Sequence, residues 1–337
     1  MKISRLALNL SAGLLAPAFH VAADSDRHYH DNYIPAPIGV MGDHMHGKGE
    51  WMLSYRYMRM EMDGMREGGD KLNSSEVLAD FRVTPTKMTT DMHMFGAMYA
   101  VTDDFTLLAM MPWVKKRMDL VTRTGVNFTT GSEGIGDLKV GSLYSLKRWK
   151  HQQIHLNLGL SVPTGDIDAA DDTPAAQDAR LPYPMQLGSG TWDALPGITY
   201  AGQMENYAWG GQALATLRLD ENGNDYSLGD RLELTGWGAY RLSREWSTSA
   251  RLRWQTWGNV DGGDDKLNPR VVPTADPGLQ GGTRVDVLFG LSYSVLSGFM
   301  KDNRFALEGG APLYENLDGP QMSADWVLTA GWQLVLH

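Results

Sequence analysis

The sequence predicts an all-β chain folded as a transmembrane antiparallel β-barrel of about twelve strands. Three observations predict it. Hydrophobic residues recur with period two in segments of about nine to twelve residues, the length of a tilted strand crossing a bilayer. The connections between those segments alternate short and long, as periplasmic turns and outer loops do. Aromatic residues gather at segment ends, among them Tyr55, Tyr57, Tyr99, Trp113, Tyr144, Trp246, Trp254, Tyr293 and Trp332, where an interfacial girdle needs them.

In chain order, Lys2 and Arg5 form a short basic start, Leu6 to Ala18 an apolar stretch too short to span, and Val21-Ala22-Ala23 a small-residue cleavage site. This pattern predicts a signal peptide over 1–23, cleaved before Asp24, and export toward a bacterial outer membrane. Residues 24–48 then form a His- and Met-containing segment expected in the periplasm, and 49–337 form the barrel. Strands are expected near 50–62, 89–101, 105–117, 136–147, 152–163, 191–202, 207–219, 229–242, 246–257, 283–294, 303–312 and 324–336. Parity is clearest in the fifth, where Ile154, Leu156, Leu158, Leu160 and Val162 alternate with His155, Asn157, Gly159 and Ser161. The apolar set suits lipid and the small polar set a lumen. Connections at 102–104, 147–151, 203–206 and 243–245 are short and predict periplasmic turns; those at 63–88, 118–135, 164–190 and 258–282 are long and predict outer loops.

Composition narrows the function. The 337 residues contain no Cys, which excludes a disulfide scaffold, a thiolate metal site and a Cys nucleophile. A formal charge of -10 argues against a nucleic-acid partner, which needs a basic stripe to displace counterions. Catalysis is not expected: His155 and Ser161 share the lumen parity but lie about 20 Å apart along the strand, and His93 falls on the lipid parity with no nucleophile beside it.

Four stretches carry a resemblance. GIGDLKVG at Gly134 to Gly141, GLSVPTGD at Gly159 to Asp166, LGSGTWDALPGITY at Leu187 to Tyr200 and LEGGAPLYENLDGPQ at Leu307 to Gln321 resemble recurring stretches of the outer-membrane transporter family named for the meta-pathway of phenol degradation. The resemblance covers most of the chain after 1–23, in the same order. It implies an outer-membrane barrel that passes small molecules, an aromatic compound among the candidate solutes, with no catalytic residues to carry over.

The unusual chemistry is a concentration of methionine: residues 41–118 hold 14 of the 19. Met58, Met60 and Met62 share the lumen parity of the first strand, and Met92, Met94 and Met98 that of the second. Thioether sulfur pairs with soft cations such as Cu(I), and flexible methionine also fills apolar interiors. Upstream, His28 and His30, and then His44, Met45 and His46, form two His-x-His tracts whose imidazoles point the same way on an extended chain and can chelate a divalent metal. No cofactor is required, and a copper ion is the candidate ligand. Charges on the lumen parity are Arg56, Lys116, Lys139, Arg231, Glu233, Arg251, Arg253, Arg284, Asp286, Arg304 and Glu308. Their alternating sign predicts salt bridges across the lumen that constrict it, or a wet channel whose basic residues select anions. The expected function is passage of a small solute across the outer membrane, with soft-metal handling as the sharper form. The alternative is a non-transporting barrel that is plugged by its charges and binds a metal or a partner.

Overall fold

A computed structural model describes residues 33–337. The expected signal peptide at 1–23, and His28 and His30, lie outside the described residues. Eleven strands form an antiparallel ring: β1 (Trp51–Gly68), β2 (Val83–Thr102), β3 (Phe105–Thr122), β4 (Leu138–Trp149), β5 (Gln152–Val162), β6 (Gly197–Met204), β7 (Tyr207–Arg218), β8 (Arg231–Arg241), β9 (Trp246–Trp257), β10 (Gly282–Ser294) and β11 (Asn303–Leu336). Each pairs with its neighbour in the chain, save that β11 joins back to β1 and so closes the ring. The last element makes two passes. Its residues 304–317 pair with β10 and 317–336 with β1, so the chain doubles back near Leu317, and the expected strands at 303–312 and 324–336 are the two arms of one long element.

Parity behaves as the pattern requires. Leu158 and Phe289 are exposed on the outer wall, while their neighbours Asn157 and Leu288 are buried inside. At the short-turn end, cross-strand aromatic pairs stack with ring centroids 4.6 Å apart for Trp51 and Tyr99, 4.9 Å for Tyr207 and Tyr240, and 4.8 Å for Trp246 and Tyr293. These pairs form one interfacial belt, with apolar side chains above it on the outer wall. A closed ring leaves no unpaired strand edge in hydrocarbon. With its apolar outer belt, the molecule is therefore an outer-membrane β-barrel. Arg at Leu158 or Phe289 should cost about 2 to 4 kcal/mol and prevent recovery of a heat-modifiable band on electrophoresis. Wild-type assembly of Leu158→Arg would invert the parity assigned to β5.

Strand ends depart from expectation where the outer wall turns polar. The first three strands continue well past 62, 89 and 117, so the loops expected at 63–88 and 118–135 are largely strand. Here the outward parity carries Arg59 paired with Glu61 and Asp91, Lys87 with Glu61, and Lys115 with Glu133. The ladder outlasts the apolar face because its hydrogen bonds need no lipid, and the strands rise above the membrane. Between them lie a capped helix, α1 (Ser74–Asp80), and a strand at Asn127–Ile135 that pairs with β3. The strand expected at 191–202 is broken. Asp193–Ala194 bridges β5 and β7, and Pro196, which has no N–H to donate, separates it from β6.

Candidate functional site

Residues 34–46 do not extend into the periplasm as expected; they thread the lumen. The tract Ile34-Pro35-Ala36-Pro37-Ile38-Gly39-Val40-Met41-Gly42 lacks strand periodicity, and its prolines withhold backbone donors. Its remaining backbone groups are taken up by wall side chains. Arg56 Nε donates to the Ile38 carbonyl at 2.9 Å, Arg304 Nη2 to Ala36 at 2.6 Å, and Gln212 Nε2 to Met41 at 2.9 Å. Asn157 Nδ2 donates to Gly42 at 3.0 Å, and His155 Nε2 lies 2.9 Å from the same carbonyl. The Gly39 N–H donates to Glu308 Oε2 at 2.9 Å, and Glu308 also forms a bidentate pair with Arg251 at 2.8 and 3.0 Å.

Five of the gripping side chains share one height. Arg56, Asn157, Gln212, Arg251 and Glu308 each stand five residues after the first residue of β1, β5, β7, β9 and β11. Upward strands begin at the periplasmic rim, so an equal offset places the five in one ring around the turn at 38–42. The turn fits because two of its residues are glycines. A Cβ on Gly39 would meet Glu308 Oε2 at 2.3 Å, and Gly42 sits at φ +62, where a Cβ would meet Asn157 Nδ2 at 2.9 Å. Its apolar contacts fall in small separate clusters, Ile34 with Ala208 and Ala239, Ala36 and Val40 with Trp237, and Met45 with Met52, Met98 and Leu143, while Ile38 is buried beside Gly331.

The chain then returns to the rim. His44 Nδ1 lies 3.0 Å from Asp43, His46 Nδ1 lies 3.6 Å from Glu50, and the two imidazoles meet edge to face at 4.7 Å. Burial holds the His46 imidazole below its ordinary range, with Glu50 pulling the other way and His44 adding to the depression. A depressed histidine contributes stability above its unfolded pKa and loses it as pH falls through the folded value. Lowering the pH from about 7.5 to about 5 should thus loosen the segment and raise conductance, and His46→Gln should flatten the response. A flat wild-type profile would remove His46 from the closure.

The methionines separate by height. Met52 and Met98, opposite each other in register, pack near the inner rim with Leu143 and Met45. Met62 packs at the outer mouth with Met88, Met118, Met185 and Met322. Between them Met58 faces Met92 in register, Met94 faces Arg56, and Met60 Sδ lies 4.0 Å from Arg284 Nη1. The stripe is thus two apolar clusters with a short middle. Among the described residues no three His, Asp or Glu side chains converge as a metal site.

The outer mouth is covered by loops. Ala169, Leu181 and Met185 of the loop between β5 and β6 pack on Met88 and Met118, while Lys116 Nζ donates to the Pro184 and Gln186 carbonyls at 2.8 and 2.6 Å. Three of the four resembling stretches meet at its base. Asp137 accepts from the Gly165 and Ser189 amides at 3.0 and 2.7 Å, and Gly165 and Gly188 touch so closely that a Cβ on either would meet the other's backbone within 2.7 Å. Those stretches therefore anchor the cap, a role that their spacing in sequence does not reveal.

Charges on the lumen parity pair along the wall. Arg251 reaches Glu308, Arg253 and Arg284 share Asp286, and Arg231 lies 3.9 Å from Glu233. The bridging between strands of one wall corrects the expected cross-lumen network. What crosses the lumen is the segment 34–46, which Arg56, Arg304 and Glu308 grip through its backbone.

Known proteins share this architecture. No curated protein matches the chain. An outer membrane channel from Pseudomonas putida F1 is similar at a TM-score of 0.61 and 16% identity, covering 88% of this chain and 99% of its own. The transport unit of the autotransporter AIDA-I from Escherichia coli is similar at a TM-score of 0.50 and 9% identity, covering 88% of this chain and 93% of its own. Both are likenesses of fold. Residues 78–311, from the base of the second strand's approach into the last element, match the family described as MetA-pathway of phenol degradation, and the chain belongs to that family.

Proposed function

We propose that the protein is an outer-membrane channel for a small solute, closed at rest by its own segment 34–46. The observation that carries this reading is how the segment is held. Wall side chains from six strands hydrogen-bond to its backbone, while its apolar residues are spread over three separate small clusters on the wall. Hydrogen bonds to an irregular backbone can be exchanged for water at small net cost, about 0.5 to 1.5 kcal/mol each, so the segment is suited to leave. The fold agrees with this reading, since a barrel of this size has room for a narrow path once the segment is withdrawn. Single-channel recording with and without residues 34–46 tests it, and silence of both proteins would favour a non-transporting barrel. Soft-metal handling is the finer reading of the methionines. The pairing of Met58 with Met92 favours it, and the guanidinium of Arg284 beside Met60 opposes a second cation there.

A further inference from the structure

Between the segment 34–46 and the loop cap, two lumen walls differ in chemistry. One is basic. Asp286 on β10, 0% exposed, accepts from Arg253 Nε and Nη2 at 2.9 and 2.7 Å and pairs with Arg284 Nε at 3.1 Å, so one carboxylate serves two guanidiniums. Arg231 on β8 has Glu233 only at 3.9 Å and is 44% exposed, while Glu233 also accepts from Gln255. Lys139 stands on β4, four strands away around the ring from β8, and forms no ion pair among the described residues. The acids nearest to it are already engaged: Asp137 holds the cap's backbone amides, and Asp193 holds Thr191 and Arg218. Asp286 is fully buried, whereas Arg253 and Arg284 keep 13% and 11% of their side chains exposed and Arg231 keeps 44%, so the lumen surface here is lined by guanidinium more than by carboxylate and carries a positive field.

The other wall is apolar and polarizable. Met58 and Met60 face inward on β1, and the two walls meet where Arg284 Nη1 approaches Met60 Sδ at 4.0 Å. A guanidinium fork matches a carboxylate, and thioethers accommodate irregular apolar bodies. We infer that this chamber binds a small amphipathic organic anion, its carboxylate held by Arg231, Arg253 and Arg284 and its apolar body resting on Met58 and Met60. The channel reading supplies the route by which such an anion passes; the binding chemistry stands on the two walls themselves.

The test is calorimetric titration of the purified, detergent-solubilised barrel with benzoate, with benzamide as its uncharged isostere, and with acetate, which lacks the apolar body. Benzoate should bind at least about tenfold more tightly than either control. Arg231→Gln should weaken benzoate and acetate alike by about tenfold, whereas Met58→Ala with Met60→Ala should weaken benzoate and spare acetate. Equal binding of benzoate and benzamide, or binding of none of the three by folded protein, overturns the inference. A protein that conducts potassium chloride yet ignores benzoate overturns this inference and keeps the channel. One that binds benzoate yet never conducts, even without residues 34–46, keeps the inference and overturns the channel.

Discussion

Removing residues 34–46 from the mature chain should raise single-channel conductance several-fold while leaving the barrel folded. The ring at Arg56, Asn157, Gln212, Arg251 and Glu308 grips only that segment, and the strands that carry it are fully paired without it. A reversible version uses the absence of cysteine from the chain. A Cβ on Gly331 would lie 2.4 Å from Ile38 Cγ1, so Ile38→Cys with Gly331→Cys places two sulfurs within bonding reach without a competing thiol. The oxidised double variant should stay at the low level under all voltages. Reduction should restore whatever opening the wild type shows. Gly39→Val gives a third arm, because its side chain collides with Glu308 and Arg251 and should hold the segment out. If the deletion conducts no better than the wild type, the segment is no closure. The loop cap or the wall itself would then block the lumen.

The barrel was legible because lipid and lumen impose a two-residue alternation that loops cannot imitate. Partners were not legible. Parity says which face a side chain occupies, but Arg251, opposite Leu288, meets Glu308, opposite Gly290, diagonally across the intervening β10, a fact of register. The segment 34–46 was missed because it has no period at all. One signal could have found it: Ile34, Ile38, Val40 and Met41 are too apolar for a solvated linker, and the prolines and glycines among them fit a chain buried without strand partners. The methionines misled for a simpler reason. At about 3.3 Å per residue, Met52 and Met62 stand roughly 33 Å apart along β1, so a stripe that looks continuous in sequence spans the whole lumen and reaches both of its apolar ends. Strand lengths failed where the outer wall turned charged, since β1 and β2 keep their ladder above the lipid that had defined them.

Removing either partner of Arg251 and Glu308 should destabilise the barrel by about 3 to 5 kcal/mol, because a charge would remain buried without its counter-ion. Both side chains are at most 2% exposed, and the pair is bidentate. Arg251→Leu and Glu308→Leu should each lower the urea midpoint of the purified protein markedly. The double variant should recover most of the loss, since two apolar side chains replace two desolvated charges and nothing ionic is left stranded. The same double variant separates stability from closure. It removes the carboxylate that accepts the Gly39 N–H, and with it the contact of Arg251 Nη1 with the Gly39 carbonyl at 3.5 Å. A barrel restored in stability but raised in conductance is therefore the expected result. Singles as stable as the wild type would show that the pair is hydrated, and a double variant that stays closed would place the grip on Arg56, Arg304 and Gln212 alone.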